Sequence, residues 1–233
     1  MIVTGKNVFH EIKSNSNNIK KVYLSKSFHD QEIIKFIKDN HISYETVNEL
    51  RMKELDSNNR QGIILVVNDY EYSNVKDFLN DSIVVMLDHL EDPHNFGAII
   101  RTVEAAGIKS IIIPKNRSVG VNATVVKVSS GAIEHVKIAM VNNLVDTIKK
   151  FKKEDFFVYG SEVDGKDYKE IDYANKILLI IGSEGNGLSR MVKESCDEII
   201  SIPMNGKVNS LNASVAAGII IYKIKEFLWY MKR

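Results

Sequence analysis

The chain has 233 residues, of which 44% are hydrophobic and 26% are charged, a composition typical of globular proteins. Lys and Arg number 31 against 30 Asp and Glu, so net charge alone does not indicate a nucleic-acid binder. No stretch approaches the roughly 20 apolar residues of a membrane span, and the first residues lack a signal-peptide pattern. The single cysteine excludes an intramolecular disulfide framework, and no His/Cys cluster has metal spacing. We expect a cytoplasmic protein without a metal or a membrane partner.

Residues 1–70 alternate short helices and strands, which predicts a small α/β domain. Apolar residues at helical spacing predict helices, and short runs rich in β-branched residues predict strands. The predicted helices cover residues 5–14 and 31–38, and the predicted strands cover residues 21–24, 42–47 and 61–67.

A polar stretch at residues 68–81 breaks the apolar pattern and predicts a domain boundary. We therefore divide the chain into a domain of residues 1–70, a linker of residues 71–81 and a second domain of residues 82–233.

The second domain alternates strands with helices, which predicts an α/β fold with a doubly wound parallel sheet. The predicted strands cover residues 83–87, 110–113, 136–140, 156–159, 177–181 and 199–202. The predicted helices cover residues 93–106, 122–130, 144–151 and 211–230. Ligands of such sheets bind beyond the carboxyl ends of the strands, so the loops after the last two strands are the candidate site.

The first of these loops spans residues 182–187 and reads G-x-x-G-x-G, and the second spans residues 203–212. The glycine pattern is neither the dinucleotide fingerprint nor a phosphate-binding loop, and an ordinary strand-to-helix turn also uses glycine. Ser210 and Asn212 precede a helical run, so a plain helix N-cap explains them equally well.

Three motifs taken together resemble the SpoU family of RNA ribose 2′-O-methyltransferases. The first, N-x-G-x-x-x-R-T, starts at Asn95 and includes Arg101. The second is the glycine loop that carries Glu184, and the third reads I-P-M-x-G-x-V-x-S-L-N-x-S from Ile202 to Ser214. The motifs occur in the family's order.

This resemblance implies a SPOUT methyltransferase domain with a C-terminal trefoil knot, S-adenosylmethionine (SAM) as cofactor, RNA as substrate, and a homodimer. Residues 5–8 and 61–63 also resemble the small domain, like ribosomal protein L30e, that precedes some family members, including the RlmB-type 23S rRNA guanosine methyltransferases. Arg60 stands where those members have histidine, and we interpret Asn58 and Asn59 as a loop. The implied role of this first domain is to bind RNA and select the target.

The resemblance also implies roles for individual residues. The implied cofactor-binding residues are Gly182, Ile202, Leu211, Ser183 and Gly187. The implied catalytic residues are Arg101, Asn95, Glu184, Ser210 and Asn212.

Within this set, Arg101 would bind a phosphate beside the target ribose and favour a developing alkoxide. Because arginine scarcely deprotonates, we do not expect it to be the base. Asn95 would orient Arg101 or the hydroxyl. His89 and His94 flank the first motif, and histidine is a residue type used in acid–base chemistry, but without a visible partner a structural role is the preferred interpretation.

We therefore expect SAM-dependent 2′-O-methylation of structured RNA, with a guanosine in 23S rRNA as the target. The alternatives are a tRNA guanosine or rRNA adenosine 2′-O-methyltransferase, a noncatalytic RNA-binding assembly factor, and a nucleotide-binding oxidoreductase. The joint presence of all five catalytic-type residues argues against a noncatalytic factor.

Overall fold

The computed structural model describes residues 1–57, 61–208 and 210–231. The loop predicted at Asn58 and Asn59, the departure at Arg60, and Asn209 of the third motif lie outside the described residues. The chain separates into two compact units. Unit 1 comprises Met1–Glu71 and Val121–Glu134, and unit 2 comprises Tyr72–Gly120 and His135–Arg233.

The secondary structure follows the alternating pattern. The strands are β1 (Ile2–Thr4), β2 (Ile19–Ser25), β3 (Tyr44–Val47), β4 (Ile63–Val67), β5 (Ile83–Asp88), β6 (Ser110–Pro114), β7 (Lys137–Val141), β8 (Phe157–Asp167), β9 (Ile177–Gly182) and β10 (Glu198–Ser201). The α-helices are α1 (Lys6–Ile12), α2 (Gln31–Asp39), α3 (Glu49–Leu55), α4 (Pro93–Ala105), α5 (Ala123–Ser129), α6 (Leu144–Lys152), α7 (Arg190–Glu194) and α8 (Ala213–Met231). Short 3-10 helices cover Lys13–Asn18, Val75–Phe78 and Ala132–Glu134.

Unit 1 contains a mixed four-stranded sheet with the order β1-β4-β2-β3. Strands β2 and β3 are parallel, whereas β4 is antiparallel to both β1 and β2. Helix α5 contacts β1 and buries Val125 and Val126, so residues 121–134 group with this unit. The sequence-based division placed them in the second domain, because chain order alone does not show which sheet a helix covers.

One strand and one α-helix of unit 1 were not predicted from the sequence. Strand β1 is only three residues long, too short for a periodic pattern. Helix α3 buries only Met52 and therefore lacks the apolar stripe that reveals a helix.

Unit 2 contains a six-stranded sheet with the order β10-β8-β9-β5-β6-β7, and every pair is parallel. This confirms the α/β fold with a parallel sheet. All six residues of β5 and of β9 are buried, which explains their continuous apolar runs. One face of the sheet packs with α6 in an apolar cluster that includes Met86, Ile148 and Phe151.

The strand order reverses between β5 and β9, because β6 and β7 extend the sheet on one side and β8 and β10 on the other. Such a reversal leaves a crevice at the carboxyl ends of the two central strands. The register places Asp88, the last residue of β5, beside Gly182, the last residue of β9. The two loops that leave these strands therefore start as neighbours.

Strand β8 is longer than predicted and has an irregular register with β10. Gly160 pairs with Ile199, but the next paired residue of β10, Ile200, lies opposite Lys166. Residues 161–165 therefore bulge from the pairing, and the bulge carries Glu162 to the end of the sheet where the two predicted loops lie.

Candidate functional site

A cavity of about 500 Å³ lies between the loops that follow β9 and β10. Ligand pockets typically have volumes of about 300–1,000 Å³, so this cavity is large enough for a small molecule. Eight of the ten predicted site residues line it: Gly182, Ser183, Glu184, Gly187, Ile202, Ser210, Leu211 and Asn212. The structure therefore brings the two predicted loops together around one cavity.

The loop after β9 is closed by its own backbone. The N–H of Ser183 donates to the carbonyl of Gly187 at 3.0 Å, and the N–H of Gly187 donates back to the carbonyl of Ser183 at 3.0 Å. Gly187 has a φ of 61°, in the left-handed region that favours glycine. At Gly182, a Cβ atom would lie 2.7 Å from the backbone nitrogen of Leu188, so any side chain there would force the loop apart.

Two carboxylates that the sequence analysis missed hold the end of this loop. Glu162 Oε1 accepts a hydrogen bond from the N–H of Leu188 at 2.5 Å, and Asp88 Oδ2 accepts one from the N–H of Ser189 at 2.6 Å. The burial of Asp88 at the end of β5 follows from the buried strand, so its position was a usable signal. Glu162 gave no such signal, because only the bulge of β8 brings it to the loop.

The first and second motifs are joined by side chains. Asp92 caps α4 by accepting from the N–H of His94 at 3.0 Å, which fixes the start of the helix that carries Asn95. Asn95 is buried, and its Nδ2 donates a hydrogen bond to Oε1 of Glu184. Partial burial raises the pKa of the Glu184 carboxyl, and the nearby charge of Asp92 raises it further, while the Asn95 hydrogen bond opposes the shift.

Arg101 lies apart from the cavity, and Asn212 has a second, structural role. Arg101 lies on an exposed face of α4 and is absent from the cavity lining, and among the described residues it makes no hydrogen bond or ion pair. Asn212 lines the cavity, but its Oδ1 also accepts from the N–H of Ser214 at 2.9 Å and from that of Val215 at 3.4 Å. Asn212 therefore caps α8, as the simpler interpretation of the sequence predicted.

A second, smaller cleft of about 270 Å³ shares lining residues of the glycine loop with the first cavity. It is lined by Asp88 at the end of β5, by His89 directly after it, by Arg117 from the loop after β6, and by Ser183 and Glu184. Ser183, Glu184, Asn186 and Gly187 line both cavities, so the two are adjacent along the glycine loop. Within the described ranges, no group of three or more His, Cys, Asp or Glu residues could hold a metal ion.

Comparison with known proteins decides the family. Residues 82–222 match the model of the SpoU rRNA Methylase family, which is more than half of the chain. The chain belongs to the SpoU rRNA methylase family. The match confirms the family predicted from the three motifs, and with it the class of enzyme, an RNA methyltransferase.

Relatives of this SpoU methylase match it along almost its whole length. Residues 2–73 match a family described as RNA 2′-O ribose methyltransferase substrate binding. One relative is a Staphylococcus haemolyticus protein described as a TrmH family tRNA/rRNA methyltransferase. It is 38% identical over 96% of this chain and 94% of its own length. A Staphylococcus aureus protein with the same description is 40% identical over the same shares.

The fold also matches solved structures. The SpoU methyltransferase AviRb from Streptomyces viridochromogenes, solved with the cofactor AdoMet, superposes with a TM-score of 0.83. The superposition covers 99% of this chain and 91% of AviRb at 20% sequence identity, so it establishes the shared fold.

Among the described residues, no helix is long and apolar enough to cross a membrane.

Proposed function

We propose that this SpoU methylase transfers the methyl group of SAM to a ribose 2′-hydroxyl in RNA, with a guanosine of 23S rRNA as the target. The observation that carries the proposal is the single cavity formed by the second and third motifs, with Asn95 of the first motif hydrogen-bonded to its Glu184. All three motifs therefore meet at one place in unit 2.

The volume and the charge of the cavity lining suit SAM. Apolar side chains suited to an adenine ring line one part of it: Val163, Ile181, Ile202, Met204, Leu211 and Ala216. Its charged lining residues are the two carboxylates of Glu162 and Glu184, and no Lys, Arg or His is among its described lining residues. A cationic sulfonium is attracted by such a lining, whereas a phosphate-bearing dinucleotide is repelled. This charge pattern favours SAM over the oxidoreductase alternative.

In this proposal SAM supplies an activated methyl group, and the protein binds and orients the reactants. Gly182, Ser183 and Gly187 give backbone contacts, and Ile202 and Leu211 give apolar ones. Glu184, held by Asn95, orients the ribose at the cavity wall. Ser210 lies exposed at the rim, where a hydroxyl can contact RNA, and Asn212 fixes the start of α8.

Arg101 has a separate role. Its exposed guanidinium has no partner among the described residues, so it is available to bind an RNA phosphate with two parallel hydrogen bonds. This contact would position the target ribose from outside the cavity.

Two observations favour an rRNA target. The match of residues 2–73 to a substrate-binding family and the presence of a first unit favour the RlmB-type subgroup over tRNA enzymes without such a domain. The staphylococcal relatives are described by both tRNA and rRNA, so a tRNA guanosine or an rRNA adenosine is the alternative target. A trefoil knot in unit 2 and action in the cytoplasm belong to the same proposal.

A homodimer is part of the proposal. Helix α8 exposes Val215, Tyr222 and Trp229, each about half accessible, and their seven-residue spacing puts them on one face. Apolar stripes of this kind are typical of helices that pack against a partner. A second copy of the chain is the partner that the family resemblance implies.

The proposal is tested by incubating the protein with methyl-labelled SAM and separated 23S rRNA, 16S rRNA and tRNA, and mapping the label. We expect one labelled ribose at a guanosine in 23S rRNA. Label in tRNA or at an adenosine would overturn the target, and label on a base would overturn ribose methylation. The Arg101→Ala variant should bind SAM normally and lose transfer by about 100-fold; an undiminished rate would refute the role of Arg101.

A further inference from the structure

The smaller cleft beside the glycine loop contains an aspartate–histidine pair that the family motifs do not include. Oδ1 of Asp88 lies 2.5 Å from Nδ1 of His89. The side chain of Asp88 is fully inaccessible, whereas that of His89 is 29% accessible and lines the cleft. The buried carboxylate is thus covered by the imidazole, which itself remains open to a ligand.

Asp88 is held firmly by its other oxygen. Oδ2 accepts the N–H of Ser189 at 2.6 Å, and Asp88 itself ends the buried strand β5. A carboxylate accepts hydrogen bonds, so Nδ1 of His89 carries the proton in this pair. Nε2 of the neutral imidazole is then free to accept a proton, which is the arrangement that a general base requires.

The cleft lies where a substrate is expected. It opens at the carboxyl ends of β5 and β9, at the reversal of strand order, and it shares Ser183, Glu184 and Gly187 with the SAM cavity. The carbonyl of Leu90 accepts the N–H of Val119 at 2.8 Å and the hydroxyl of Ser118 at 3.0 Å. These bonds hold the Arg117 loop beside His89, so the cleft is a built feature and has a volume suited to one sugar unit.

We propose that this cleft takes the target ribose and that His89, oriented by Asp88, accepts the proton of its 2′-hydroxyl; this inference rests on the proposed function. The 2′-oxygen forms a bond to the methyl carbon while the bond from that carbon to sulfur breaks, and its electron pair remains on sulfur. The O–H bond breaks and its proton passes to Nε2 of His89. The imidazolium is stabilised by Asp88 and then releases the proton to water.

The backbone of His89 provides a clean test. Its φ is 57°, a conformation that glycine adopts without strain, so His89→Gly should keep the backbone conformation of this turn. Glycine also leaves space for an added imidazole. The matched control is His94→Gln, which changes an exposed histidine that lines neither cavity.

The measurement is single-turnover methyl transfer to the RNA substrate at saturating SAM between pH 5.5 and 9. The wild-type rate should rise with pH as the general base loses its proton, and then level off. The other charged groups that face the cleft are Glu91, Arg117 and Glu184, none of which is a histidine. His89→Gly should lower the plateau rate by about 10²–10⁴-fold, lose the rise with pH, and recover when imidazole is added. His94→Gln should keep the wild-type profile.

The outcomes of this experiment distinguish a catalytic from a structural role of His89. If His89→Gly keeps the rate and its pH dependence, His89 is not the base. If the variant loses SAM binding in calorimetry, or loses activity without rescue by imidazole, His89 has only a structural role. If wild-type protein binds SAM but methylates no RNA, the proposed function fails instead, which is a different result.

Discussion

Asn95 and Glu184 lie 89 positions apart in the chain, yet the amide of one donates a hydrogen bond to the carboxylate of the other. The bond joins the start of α4 to the glycine loop after β9. Asn95 is buried, so its amide is held in place. Loss of this amide would leave the Glu184 carboxylate without its orienting donor.

Asn95→Ala should therefore reduce methyl transfer more than it reduces folding. We expect a rate lower by about 100-fold from misorientation of Glu184, with the affinity for SAM within a few-fold of wild type. The matched control is Asn143→Ala, which removes the N-cap of α6 outside both cavities. That change should cost about 1 kcal/mol of stability and leave the rate intact. Equal activity of the two variants would refute the role of Asn95.

Gly182→Ala tests whether the cavity depends on close backbone approach. A Cβ at residue 182 would press on the backbone of residues 187 and 188, so the loop must shift, at a cost of about 1–3 kcal/mol. We expect SAM affinity to fall at least tenfold in calorimetry. Gly206→Ala is the control, because nothing lies within 4 Å of a Cβ there and its φ is not positive. If both variants bind SAM equally, Gly182 does not shape the site.

Glu184→Gln separates charge from shape. Because the pKa of Glu184 is raised above its ordinary value of 4.5, the folded chain binds this proton more tightly than the unfolded chain. The free energy of unfolding of the wild type should therefore fall, relative to the variant, as pH rises from about 4.5 through the raised pKa.

At neutral pH the Glu184→Gln variant should be at least as stable as the wild type in urea unfolding, but slower in methyl transfer. A glutamine oxygen still accepts the Asn95 hydrogen bond, so the difference reports the charge. A variant that is less stable at neutral pH than at pH 4, relative to wild type, would contradict the direction of the shift.

Tyr222→Glu tests the proposed dimer. A carboxylate in the centre of the apolar stripe of α8 should be strongly unfavourable in a packed interface, so sedimentation velocity should show monomers where the wild type shows dimers. Leu50→Glu, at a 69% exposed site in α3, should leave the dimer intact. A wild type that sediments as a monomer would remove this part of the proposal.

Much of the fold was predictable because unit 2 has strong local signals. The continuous apolar runs of β5 and β9 and the cap Asp92 before Pro93 mark their own elements. Strand order, the long bulge of β8 and the grouping of residues 121–134 depend on contacts distant in sequence, so no local pattern reveals them.

Part of the site was predictable because its residues lie in local sequence motifs. The cavity-lining residues from 182 to 187 and from 202 to 212 lie in two short loops with recognisable motifs. The carboxylates of Asp88 and Glu162 accept hydrogen bonds from the backbone N–H groups of Ser189 and Leu188, directly after the glycine loop. Because every residue except proline has such an N–H group, no sequence pattern marks these bonds. His89 was noted only as a neighbour of the first motif, and its significance depends on a hydrogen bond that the structure alone reveals.

A crystal structure of the protein grown with SAM would test the central claim most directly. We expect the adenosyl group between the loop at residues 182–187 and the loop at residues 203–212, with its sulfonium toward the residues that also line the His89 cleft. SAM bound elsewhere on the chain, or electron density for no ligand at millimolar SAM, would contradict it.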